Sequence, residues 1–324
     1  MIKRFFKNHP IHKKIVPLFD LFFFMSPMSF FISSTIICIG MYLALFMENS
    51  NPLFLSNVNY RTVCLFFGIV CILFGNYINC SRDSNSIFSV SILKFNVKYS
   101  TVYKNNMVRF LYILGLVCLL NTNLIILSIG LILIFLNIFI YKSYSDFIDS
   151  SPYISFLYQF LIDFLLLISG FVFMDRGFIY EFEFISSLIP YILLYTALFV
   201  ERDSLAFILN KNLTNFGSLH SPFKITFISL SLLIIAFILA VLKNDPLCSI
   251  ITIVSMPFYI YAFVRGSKKD FQRALVYPLG IINFFIITIF PYLFIPTFIL
   301  FYLSKYYNWH RLDYHYPTFL VEDD

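Results

Sequence analysis

The sequence predicts an all-α, polytopic membrane protein with nine transmembrane helices in a single domain. Three observations lead there. Of 324 residues, 60% are hydrophobic and 12% charged, whereas a soluble domain carries about 25% charged residues. The apolar residues gather into runs that suit a bilayer core of about 30 Å, which takes roughly 20 residues of helix. The lysines and arginines fall between those runs, with a strong bias to one side.

A basic tail (Lys3, Arg4, Lys7, Lys13, Lys14) precedes the first run, Leu21 to Met47. That run is too long for a cleaved signal peptide and lacks a small-residue cleavage site, so it reads as a retained span. The second, Thr62 to Ile78, leads into the polar stretch GNYINCSRDSN, Gly75 to Asn85. Within it Asn76, Asn79 and Asp83 are spaced three and four apart and share one face if the helix continues. The third run, Val108 to Leu120, is short, and the Asn121-Thr122-Asn123 break ties it to the fourth, Asn123 to Ile140, as a helical hairpin.

Pro152 leads the fifth run, Tyr153 to Phe173, where Gln159 and Asp163 lie one turn apart. An ionised Asp at mid-bilayer costs about 2.5 to 3.5 kcal/mol on insertion scales, so Asp163 needs a partner or a polar cavity. Interhelical hydrogen bonding satisfies that need as well as a functional role does, and Asn137 and Asn283 read as such interhelical glue. The sixth run, Phe184 to Val200, ends in a second polar stretch, Glu201 to Gly217 (ERDSLAFILNKNLTNFG). The seventh, Ile225 to Leu242, and the eighth, Pro246 to Val264, are followed by Arg265, Lys268, Lys269 and Arg273. That basic cluster suits anionic lipid or a diphosphate. The ninth run is Leu279 to Tyr302. The chain is expected to form half-bundles over 15–145 and 150–305, with an interfacial tail, 306–324, whose Trp309, His310, Asp313 and His315 fit an aromatic anchor better than a zinc site.

With the N-terminus in the cytosol, only Arg61, Arg176, Lys243, Lys305 and Arg311 lie on the far side. The C-terminus is then expected outside, a bacterial inner membrane is the natural setting, and both polar stretches fall on the cytosolic face. The net charge of +6 follows from this topology and needs no nucleic-acid partner. The six cysteines form no CxxC pair and read as small core residues rather than a disulfide frame or metal site.

Nine spans with polar motifs after the second and sixth resemble the UbiA-type intramembrane prenyltransferases, whose two aspartate-rich motifs hold Mg²⁺ on an isoprenyl diphosphate. On that resemblance Gly75 stands at the family's Asn, Asn79 at its first Asp and Asp83 at its second, with Asn76 where many members carry another acid. Asn210 to Gly217 looks like the tail of the second motif. Counting back from it places either Glu201 and Leu205, or Phe199 and Asp203, at that motif's acids. Asp20 to Gly40 resembles the family's first helix, Tyr144 to Gly170 the entry to its fifth, and Lys305 to Pro317 the tail of some members.

The resemblance implies transfer of an isoprenyl group from an isoprenyl diphosphate to a lipophilic acceptor among membrane lipids. Asp83 and Asp203 would be the catalytic acids. Asn79, Asp83, Glu201 and Asp203 would hold Mg²⁺, and Asn76, Asn79, Arg202 and Lys211 would bind the substrate. Several of the expected acids are replaced by Asn, Gly or Leu, which also fits a catalytically lapsed homologue that binds an isoprenoid or pigment lipid or scaffolds membrane enzymes. The Glu201-Arg202-Asp203 group reads equally as an ion-pair cluster at a helix end, and Lys211 as a positive-inside lysine.

Overall fold

A computed structural model describes residues 28–47, 59–80, 101–141, 143–144, 152–174, 182–209 and 222–312. Among these residues there is no strand. The helices are α1 (Met28–Met47), α2 (Tyr60–Cys80), α3 (Thr101–Leu120), α4 (Leu124–Phe135), α5 (Pro152–Met174), α6 (Phe182–Leu209), α7 (Pro222–Leu242), α8 (Pro246–Arg265), α9 (Lys268–Ile289) and α10 (Phe294–Leu312). A π turn, Leu136–Tyr141, continues α4, and a 3-10 turn, Pro291–Leu293, precedes α10.

Among the described residues, six stretches are long and apolar enough to cross a membrane: Tyr60–Asn79, Leu124–Tyr141, Leu157–Met174, Phe223–Leu242, Pro246–Arg265 and Asp270–Ile289. Ser33–Met47, Asn105–Leu120 and Ser186–Glu201 are shorter apolar helices. The protein is thus an all-α membrane bundle. Its outer surface is apolar as well as its core: Phe110, Leu124, Val264 and Phe284 are all well exposed, as lipid-facing positions are.

The expected ninth run, Leu279 to Tyr302, is divided. The helix that carries its first half begins at Lys268 and stops at Ile289. Pro291 has no N–H to continue the ladder, and a residue before proline is held away from helical geometry. Phe290 accordingly has φ −118° and ψ 74°. The start at Lys268 is set by Ser267, whose side chain accepts from the Asp270 N–H while its hydroxyl donates to the Asp270 carboxylate at 2.6 Å. This serine N-cap is a start signal that periodicity in apolar residues does not register.

The expected hairpin between the third and fourth runs is present. Asn123 caps α4, its side chain accepting from the Ile125 N–H at 3.3 Å.

α1 lies at the centre, buried without interruption from Ser34 to Ala44, and it packs on α5 by close backbone approach. A Cβ on Gly40 would collide with the Leu167 carbonyl oxygen, and one on Gly170 with that of Ile37. In lipid, where apolar side chains gain little by leaving the solvent, such small-residue crossings let dispersion and backbone contact hold helices together. α2 meets α3 similarly at Gly68 and Gly115, where a Cβ on Gly115 would lie 2.8 Å from the Gly68 carbonyl oxygen.

Hydrogen bonds tie α1 to later parts of the chain. Tyr195 on α6 donates to Thr35 at 2.8 Å, and Tyr42 donates to Asp245, in the α7–α8 turn, at 3.2 Å. Since Tyr42 lies in the last turns of α1, the C-terminal end of α1 shares an end of the bundle with the α7–α8 turn. Lys243 donating to Ser186 at 2.6 Å places the start of α6 there too. The C-terminal portion of α6 therefore lies toward the opposite end.

The four cysteines at Cys38, Cys64, Cys71 and Cys248 are free and buried, in keeping with their reading as small core residues.

Candidate functional site

The candidate site is built at the polar ends of α2 and α6. On α2, Asn76 and Asn79 do share a face, and that face meets α3 and α4. Tyr112 on α3 donates to Asn76 Oδ1 at 2.8 Å, with Asn137 Oδ1 a more distant acceptor at 3.3 Å. Asn79 Nδ2 donates to Asn137 Oδ1 at 2.8 Å, and Asn76 Nδ2 to the Leu133 carbonyl oxygen at 3.4 Å. Three helices are thereby joined through four polar side chains.

Local sequence explains how these groups meet. Gly75 leaves the space that the Tyr112 ring occupies, since a Cβ there would lie 2.5 Å from its Cε1. Asn137 sits on the π turn Leu136–Tyr141 and is 2% exposed. A π turn shifts the i→i−4 ladder by a residue and re-aims side chains, and here the amide so placed serves α2. Tyr112 was not singled out from the sequence. Its signal was a tyrosine inside an apolar run, set opposite the glycine of the polar stretch.

On α6, Glu201 is completely buried. Its Oε1 accepts from the Thr226 hydroxyl of α7 at 3.3 Å. Tyr259 on α8, near enough to feel the Glu201 charge, is also completely buried, and its hydroxyl has no hydrogen-bond partner among the described residues. Buried polar groups in lipid are satisfied by protein or by enclosed water, so this interface between α6, α7 and α8 is the second polar locus. Neither Thr226 nor Tyr259 stood out in the sequence.

The remaining expected site residues divide between backbone and undescribed positions. Arg202 and Asp203 lie on the helical backbone of α6, their side chains outside the described set; Asp83 and Lys211 lie outside the described residues altogether. The hydrogen bonds of Asn76 and Asn79 run to α3 and α4, whereas that of Glu201 runs to α7. Among the described residues no three His, Cys, Asp or Glu side chains form a group suited to a metal ion.

Other polar residues have local roles. Gln159 Nε2 donates to Asp163 Oδ1 at 2.9 Å, one turn along α5. Asn283 donates to the Leu279 carbonyl oxygen of its own helix at 2.8 Å, while Asn137 does act as interhelical glue. Arg265, Arg273 and Ser267 converge on Asp270: Arg273 donates at 3.2 Å and Arg265 Nε lies 3.6 Å away.

At the other end of the bundle Asp245 caps α8, accepting from the Leu247 and Cys248 N–H groups at 3.0 and 3.3 Å as well as from Tyr42. Burial pushes its pKa above the ordinary value of 3.8, and these hydrogen bonds pull against that shift.

No known family pattern matches the sequence, and no curated protein matches it. Among solved structures, the chain is similar to that of a digeranylgeranylglyceryl phosphate synthase in membranes, with a TM-score of 0.54 at 15% identity. The match covers 84% of this chain and 96% of that one. At that identity the likeness establishes the fold alone.

Proposed function

We propose that the protein is a UbiA-like membrane prenyltransferase that transfers an isoprenyl group from an isoprenyl diphosphate to a lipophilic acceptor. The observation that supports the reading most is the fold likeness, which runs over 84% of this chain and 96% of the other. The polar groups at the ends of α2 and α6 are where the diphosphate would bind, on the cytosolic face if the lysine and arginine bias sets the orientation.

The described donors fit Mg²⁺ unevenly. Asn79 spends its Nδ2 on Asn137, which leaves its carbonyl oxygen as the group with which it would reach a hard cation. Glu201 is buried against Thr226, so on this reading Asp203, two residues along, would be the acid of its cluster that meets the ion first. Asn79 with Asp83 would hold one ion and Asp203 with Glu201 the other. Mg²⁺ when bound supplies positive charge on the phosphate oxygens as the diphosphate leaves.

The chain's own residues would do the rest. Asn76, Arg202 and Lys211 would orient the diphosphate. Aromatic faces would shield the allylic cation, and the apolar interior would keep water from it.

One observation favours a second reading, a catalytically lapsed homologue that holds an isoprenoid or pigment lipid. The amides at two of the family's acid positions are engaged inside the α2–α4 interface, and a neutral amide adds no charge to offset phosphates. Asp83→Ala and Asp203→Ala separate the two. The enzyme reading expects each to abolish Mg²⁺-dependent prenyl transfer while helicity in detergent is unchanged. The lapsed reading expects ligand binding that survives both substitutions and ignores chelator.

A further inference from the structure

α7 and α8 enclose a groove of about 360 Å³ on the outer face of the bundle, lined by Phe223, Lys224, Phe227, Ile228 and Phe263. The Phe227 and Phe263 rings stand 5.8 Å apart across it, and Phe227 and Ile228 remain 56% and 40% exposed. Both helices are long and apolar enough to cross a membrane, so this wall is presented to lipid. An apolar wall alone is unremarkable on such a surface.

What distinguishes this one is the charge at its end. Lys224 lines the groove itself, and Arg265, two residues beyond Phe263, is 63% exposed. Gly266 brings them to the same place. It turns the chain at φ +63°, and the Phe223 ring fills the space that a Cβ there would need, so the first turn of α7 is pressed onto the corner between α8 and α9. The edge-on contact of Phe223 with Phe271 fixes that arrangement. Arg265 and Arg273 share one buried carboxylate, Asp270. Among the described side chains, Lys224, Arg265 and Arg273 thus stand against two carboxylates, Asp270 and the buried Glu201 at Thr226, which leaves positive charge in excess.

We infer that this groove is a binding site for an anionic phospholipid, with an acyl chain along the aromatic wall and the headgroup phosphate held by Lys224 and Arg265. The shape of the site carries the inference: an apolar channel parallel to the spans ends in excess positive charge, as a lipid joins chains to a phosphate. Zwitterionic lipids offer the same chains without net charge, so the cations set the preference. Each cation near an anionic membrane surface is worth about fivefold in binding, and the effect is screened by salt.

The test uses the full-length protein with Trp309→Phe, which removes the sole tryptophan, and Ile228→Trp as a reporter in the groove. It is reconstituted with brominated phosphatidylglycerol or brominated phosphatidylcholine, and quenching is titrated. We expect a preference of at least about fivefold for phosphatidylglycerol, weakened by salt and abolished by Lys224→Gln with Arg265→Gln. Lys224→Gln alone, at an exposed position, should remove about fivefold of it and stands in if the double variant does not fold. Equal quenching by the two lipids, or a preference that survives the double variant, overturns the site. Quenching by neither would mean that a second copy of the chain covers the groove, and overturns it too.

Discussion

The hydroxyl of Tyr112 donates to Oδ1 of Asn76 at 2.8 Å across the α2–α3 interface, in the space left by Gly75. Interhelical hydrogen bonds in membrane proteins average about 0.6 kcal/mol and reach about 1.7. A double-mutant cycle of Tyr112→Phe and Asn76→Ala, read by unfolding in detergent, should therefore give a coupling near 1 kcal/mol. Strict additivity would show that the two side chains are neighbours without being partners.

The glycines make a second, sharper contrast. Gly170→Ala would drive a methyl group into the Ile37 carbonyl of α1, whereas nothing lies within 4 Å of a Cβ built on Gly280. Overpacking a tight interface costs about 1 to 3 kcal/mol and sometimes more, while Ala in place of Gly inside an open helix gains about 0.5 to 1. The two substitutions should move thermal stability in opposite directions. Equal effects would contradict the α1–α5 crossing.

Asp245 sets a pH dependence. Burial raises its folded pKa above the ordinary 3.8, so between the two values the folded state binds more protons than the unfolded one. Its contribution to stability is then greatest when it is protonated, and is lost as pH rises through the raised folded pKa. Asn at this position keeps a good helix cap and an acceptor for Tyr42. Asp245→Asn should flatten that part of the stability–pH curve and match or exceed wild-type stability at neutral pH. An unaltered curve would mean that the carboxyl does not titrate differently on folding.

Membrane class, the apolar helices and the Asn123 hairpin were legible because run length and break residues encode them directly. The role of Asn137 was legible too, since an amide inside a span needs a partner. The partners themselves were not. α4 is apolar nearly all round (LIILSIGLILIF), so its pattern does not say which face meets protein and which meets lipid. Whether Asn79 faces Asn137 depends on helix rotation and on the π turn, neither of which an apolar run records. The end of α9 at Phe290 was hidden for a related reason: Leu279 to Tyr302 is apolar apart from Asn283 and two threonines, and of its two prolines, Pro291 and Pro296, only Pro291 ends the helix. Asp245 escaped notice because a lone acid in a short turn looks like an ordinary loop residue, and only burial against Tyr42 gives it weight.

The central claim is that the polar ends of α2 and α6 hold an isoprenyl diphosphate through Mg²⁺. The most direct measurement is binding of labelled geranylgeranyl diphosphate to the purified protein with Mg²⁺ and then with EDTA. The account predicts saturable binding that EDTA removes and that Asp83→Ala weakens at least tenfold, about 1.4 kcal/mol. Binding that is absent, or that is the same with EDTA, would contradict it.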